Sequence, residues 1–117
     1  IDSVGGLDFT VVKTTHDIIR LSVQLNNCVG TYVEKVKEQK CAIVGVFENS
    51  RPVACIEVNP TEDSDGFVEI HQAKLKNNRG VRDNHNINYA VCQWIKKHRL
   101  QVPKYLGDIH FAKGGAM

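Results

Sequence analysis

No stretch of this 117-residue sequence approaches the ~20 consecutive apolar residues of a membrane-spanning helix. Its start, Ile1 to Gly6, has neither the basic segment nor the apolar segment of an export signal. The expectation is a cytoplasmic chain with no membrane partner. Metal-binding spacing is missing as well. The four cysteines, Cys28, Cys41, Cys55 and Cys92, include no C-x-x-C pair, and neither a metal nor another cofactor is expected. Three of them lie in apolar periodic segments, where a reduced cysteine acts as a small buried hydrophobe, and Cys28 is the exception. Aromatic residues make up only 7% of the chain. Trp94 and Tyr89 lie five apart on one expected helix and do not share a face, which removes a base-stacking platform. Internal repeats and low-complexity segments are lacking.

What is present is the composition of an ordinary globular domain, 42% hydrophobic and 24% charged, long enough to bury one core without disulfide or metal staples. Ile at position 1, where a whole chain would have Met, raises the expectation of a fragment, a processed chain or a domain of something longer. A single domain is expected over residues 7–106, with 1–6 and 112–117 as loose glycine-containing termini.

Periodicity supplies the elements. Phe9 to Lys13 is β-rich, and Thr14-Thr15 with Asp17 then offers a helix N-cap and an acid in the first turn. Ile18, Leu21, Ser22 and Leu25 share one helical face, Asn26-Asn27 and Gly30 interrupt it, and Val29, Val33 and Val36 mark a second helix. From Cys41 the period changes. CAIVGVFE and PVACIEV, joined by Asn49-Ser50-Arg51, read as an antiparallel hairpin. FVEIHQAKL reads as a third strand, with Phe67, Glu69, His71 and Ala73 on one face and Val68, Ile70, Gln72 and Lys74 on the other. Ile87, Val91, Trp94, Ile95 and His98 mark a last helix, ended by Pro103. The expected fold is α+β: a small antiparallel sheet of three to four strands with helices packed on one face, in the order β-α-α-β-β-β-α. Val44, Val46, Ile56, Ile70, Val91 and Ile95 are its expected core.

Two chemistries compete. At the N-terminus of the second helix, Cys28 would feel the partial positive charge that favours thiolate. His71 can then serve as base, with His16 as the alternative, and Gln72 as donor to an oxyanion, making a cysteine-dependent enzyme of the acyl-transfer or hydrolase type. In the structural reading of the same stretch, Gly30 lets helices approach, Cys28 and Val29 fill space, and the Tyr32 hydroxyl bonds to Gln72 or Asn78.

Charge points to binding. Net charge is only +2, yet between Lys74 and Lys104 eight basic residues, Lys74, Lys76, Arg79, Arg82, Lys96, Lys97, Arg99 and Lys104, stand against the single acid Asp83. Such asymmetry marks a surface for an anionic partner, nucleic acid or an acidic protein, although a solvated face has the same signature. The preferred expectation is a small noncatalytic binding module that offers Lys74, Lys76, Arg79, Arg82, Lys96 and Lys97 to nucleic acid.

The run L-N-N-C-V-G-T-Y-V-E-K-V from Leu25, followed by strands and then I-H-Q-A-K-L-K-N-N from Ile70, resembles the PcfJ-like family of plasmid and phage proteins. That family's mark is L-x-H-C-V-G-x-Y, two or three strands, and a Q-x-x-G-x-x-N-like stretch. Leu25, Cys28, Val29, Gly30 and Tyr32 carry the first motif here, and Gln72 with Asn77 or Asn78 carries the second, within a resemblance that covers about Thr14 to Leu100. Asn27 stands where the pattern has His, which removes the nearest base. Ala73-Lys74-Leu75 supply no glycine after Gln72. The resemblance implies a setting in mobile elements and viruses, and no particular reaction.

Overall fold

A computed structural model describes residues 2–26, 33–38, 40–60, 67–104 and 106–111. The apolar alternation builds one antiparallel sheet whose spatial order follows the chain: β1 (Asp2–Val4), β2 (Leu7–Val12), β3 (Ala42–Glu48), β4 (Arg51–Pro60) and β5 (Phe67–Leu75). Tight turns set its registers. Asn49 and Ser50 take positive φ, 52° and 67°, between β3 and β4, as the two-residue hairpin loop that matches strand twist requires. Gly5 and Gly6 do the same between β1 and β2, at 60° and 82°. A Cβ on Gly5 would also lie 3.0 Å from the Ala90 Cβ, so glycine serves packing as well as conformation there.

Five strands therefore replace the expected three to four, and the element order is β-β-α-α-β-β-β-α. The added strand is Asp2–Val4, which precedes the expected domain start at Leu7. Three residues are too few to show alternation, and a Gly-Gly pair looks like slack chain until its hairpin is seen. Residues 112–117 lie outside the described residues.

The helices begin and end where their caps dictate. The Thr14 hydroxyl accepts from the Asp17 N–H at 3.1 Å to start α1 (Thr15–Leu25), which stops at left-handed Asn26. A short α2 (Val33–Lys37) follows. Before α3 (His85–His98), the Asn84 side chain accepts from the Ile87 N–H at 3.1 Å.

The expectation that the helices pack on one face is corrected, because they cover both. Ile18, Leu21 and Leu25 of α1 pack with Val12, Ile43 and Cys55 on one side, and Val33 and Val36 of α2 join them. On the other side Val91, Trp94 and Ile95 of α3 pack with Phe9, Val44, Val46, Ile56 and Ile70. Neighbours in a strand point to opposite faces, so Ile43 and Val44, both buried, demand cover on each side. The central strands read as continuous apolar runs for this reason, and one layer of helices would leave half of each run in water. All six expected core residues are buried in the cluster beneath α3.

β5 also departs from simple alternation. Its pairing steps from Gln72 opposite Glu57 to Ile70 opposite Val58, which leaves His71 as the extra residue of a bulge. Ile70 and Ala73 consequently lie on the same side, both with 0% exposure. The outer edge of β5 is closed by the tail of the chain: the Ile70 N–H donates to the Gln101 carbonyl at 2.8 Å, and the Ala73 N–H to Asp108 Oδ2 at 3.0 Å. Among the described residues no helix is long and apolar enough to cross a membrane.

Candidate functional site

The two sequence motifs meet at the end of α1. Leu25 is buried beneath that helix, and the next residue, Asn26, donates from Nδ2 to Asn77 Oδ1 at 2.6 Å across 51 positions of sequence. Asn26, Asn77 and Asn78 all hold positive φ, a conformation that asparagine tolerates better than most residues. The amide-rich loop is thus built first of all from turn formers. Asn27, Cys28, Val29, Gly30 and Tyr32 fall outside the described residues, and with them the thiolate and the Tyr32 hydrogen bond expected from sequence.

On the α1 and α2 side of the sheet lies a group the sequence reading passed over. Glu57 is 2% exposed, opposite Ile43 on β3 and Gln72 on β5, and Gln72 Nε2 donates to its Oε1 at 3.0 Å. A carboxylate in the middle of the apolar run A-C-I-E-V was the available signal, since a charge is seldom buried without a partner. Burial, and then the Glu57 charge, push the nearby Cys41 thiol up to about 11, against an opposing influence from Lys35. Burial likewise raises the Cys92 thiol. Cys41, Cys55 and Cys92 are all buried, as small hydrophobes should be. His71, the expected base, is exposed on its bulge.

The basic residues divide. Lys76 and Arg79 line a groove of about 590 Å³ together with Arg51 and the amide side chains of Gln24, Asn77 and Asn84. Three parts of the fold meet there: the end of α1, the β3–β4 hairpin, and the turns between β5 and α3. Arg79 Nε also contacts Asp83 Oδ2 at 3.2 Å, an exposed pair that holds the guanidinium only weakly. Arg82 is exposed in the turn before α3.

The remaining nominated lysines are elsewhere. Lys74 Nζ lies 2.8 Å from Asp108 Oδ1 at the β5 edge. Lys96 and Lys97 occupy the last turn of α3, a 14-residue helix and so about 21 Å long, whose first turn is the one beside the groove. There Lys97 Nζ and His98 Nε2 contact the two carboxylate oxygens of Asp2 at 2.6 and 2.5 Å. The hydrogen bonds from Lys97 and then His98 hold the Asp2 carboxyl below its usual range. Among the described residues no cluster of three His, Cys, Asp or Glu side chains is placed to hold a metal.

The PcfJ-like protein family model matches residues 2–88, well over half of the chain. The chain belongs to this family. No curated protein and no solved structure gives a match. The PcfJ-like region runs from β1 into the first turn of α3. It takes in both motifs, the Glu57–Gln72 pair, and the groove residues Arg51, Lys76, Arg79 and Asn84. Lys96, Lys97 and Asp108 lie beyond it.

Proposed function

We propose that this PcfJ-like domain is a small noncatalytic binding module of a mobile-element or viral protein, and that its groove takes the phosphate backbone of nucleic acid. The convergence of Arg51, Lys76 and Arg79 from separate elements, beside three amide side chains, carries the reading. Guanidinium and ammonium groups neutralise phosphates, and amide side chains donate to phosphate or sugar oxygens without reading sequence. Lys96 and Lys97 stand in the last turn of α3, at the opposite end of that helix from the groove. Lys74 serves the fold through Asp108.

Fluorescence anisotropy with labelled single-stranded and duplex oligonucleotides tests this. Weak binding at low salt, falling steeply towards physiological salt, is the expected result. Arg51→Gln and Lys76→Gln should each weaken binding for every sequence and reduce the salt slope by about 1, whereas Lys96→Gln should leave both unchanged. No anisotropy change at low salt would overturn nucleic-acid binding and leave an acidic protein as the partner for the groove.

A cysteine-dependent enzyme is the second reading, in which Gln72, whose Nε2 donates to the buried Glu57, and His71, exposed on its bulge, would have to serve Cys28. Alkylation with iodoacetamide separates the two. Cys41, Cys55 and Cys92 are protected by burial in the folded chain, so Cys28 can be followed by peptide mapping. On the binding reading Cys28 reacts no faster than free cysteine at neutral pH. Reaction well above that rate, with a midpoint below the ordinary ~8.5 of a thiol, would favour the enzyme.

A further inference from the structure

We infer that the ligand of the basic groove is a single strand of nucleic acid and that Tyr89 stacks on one of its unpaired bases; this rests on the reading proposed above. A second groove, of about 530 Å³, is walled by Gly5, Leu7, Glu48, His85 and Tyr89. It shares Asn84 and Ile87, at the start of α3, with the basic groove. The β3–β4 hairpin links the two as well. Glu48 pairs with Arg51 across that hairpin, and Glu48 lines the second groove while Arg51 lines the basic one. The grooves are therefore adjoining parts of one surface.

The two parts differ in charge. Arg51, Lys76 and Arg79 line the first, whereas among the described residues no lysine or arginine lines the second, where the carboxylate of Glu48 is exposed. A carboxylate repels phosphate, but it accepts hydrogen bonds from the amino group of a base. A strand whose phosphates lie against the three cations is thereby held with a base, and not its backbone, towards Glu48 and Tyr89.

Tyr89 suits that base. Phe9 and Trp94 are buried and Phe47 and Phe111 half-buried, but Tyr89 is 57% exposed. It stands two residues, a rise of about 3 Å, beyond Ile87 of the shared wall. A cationic groove that tracks the backbone beside an aromatic ring that takes a base is how single strands are held without sequence readout. In a duplex the base faces are covered by their neighbours in the stack, so only the phosphates would remain for this surface. Trp94, five positions on, is stacked on Phe9 in the core, so the platform is one ring and takes one base.

Three probes separate base from phosphate: a short mixed-sequence single strand, an abasic strand of the same length, and the duplex of the first. Fluorescence anisotropy at low salt should show the single strand bound about tenfold more tightly than the abasic strand. Tyr89→Ala should weaken single-strand binding about tenfold, leave the abasic strand and the duplex unchanged, and retain the thermal melt. Tyr89→Phe keeps the ring and should bind as the wild type does. Upfield NMR shifts of the Tyr89 ring protons on addition of the single strand would place a base over the ring. Equal affinity for the single and abasic strands, or a Tyr89→Ala effect that is absent or the same for all three probes, would overturn the inference. Where Lys76→Gln still weakens every probe in that case, the stacking alone fails and the phosphate groove stands. Binding of no probe at low salt defeats the groove and the stacking together.

Discussion

Trp94→Ala is expected to lower the unfolding free energy by about 3–5 kcal/mol, the usual cost of removing a buried aromatic ring. The indole is 7% exposed and stacks on Phe9, with ring centroids 5.0 Å apart and planes within 9°. It thereby ties α3 to β2 on the side of the sheet where α3 is the only α-helix among the described residues. The indole also meets His98, with ring centroids 5.5 Å apart in a tilted arrangement. A urea titration followed by circular dichroism checks this, with a lowered midpoint and an unchanged slope as the expected outcome. Trp94→Phe keeps an aromatic partner for Phe9 and should recover much of the loss. A cost below about 1 kcal/mol for the alanine variant would mean that the ring does not bridge the two layers.

Asp108→Ala should cost about 2–3 kcal/mol, through two groups that the side chain satisfies together. Asp108 Oδ2 accepts the Ala73 N–H on the outer edge of β5, and Oδ1 accepts from Lys74 Nζ at 2.8 Å, where the lysine side chain is only 27% exposed. Its backbone carbonyl takes the Arg82 N–H as well, a bond that the substitution leaves in place. Asp108→Asn keeps an acceptor for Ala73 but loses the charge, so it should fall between the wild type and the alanine variant. Faster hydrogen exchange at the Ala73 amide would localise the effect. Lys74→Gln is expected to lower stability while leaving oligonucleotide affinity unchanged, which separates this lysine from Lys76 two residues later. Loss of affinity with intact stability would return Lys74 to the binding surface.

Much of the scaffold was legible in the sequence. Thr14 with Asp17 marked the start of α1, the spacing from Ile87 to Ile95 marked the buried face of α3, and Asn49-Ser50 marked the hairpin between β3 and β4. These are signals between residues a few positions apart, where backbone geometry alone decides which side chains align. Shorter or irregular features escaped. β1 has only three residues, and the bulge at His71 shifts the faces of β5 without any distinctive local composition. The same bulge defeats the expected pairing of faces around His71 and Gln72, since Gln72 turns to Glu57 while His71 remains in solvent.

The candidate site was legible only in part. Lys76, Arg79, Asn77 and the second motif stood out by residue type, yet Arg51 did not, because it belongs to a hairpin far from the basic run. Nor did the run predict its own neutralisation. Lys97 finds Asp2 across 95 positions, and Lys74 finds Asp108 across 34.

By itself the sequence determined the α+β class, the principal helices and strands, the reduced apolar core and the family to which the chain belongs. It could do so because periods of 3.6 and 2 and helix caps are local, and because a family motif is a property of residue order. Only the tertiary structure decided that helices cover both faces of the sheet, that residues after α3 close the β5 edge, and which cations meet a carboxylate of the chain itself. Those outcomes depend on which distant segments the sheet topology brings side by side, and a charge is neutralised by whichever carboxylate lies within a few ångströms of it in space, whatever its distance along the chain.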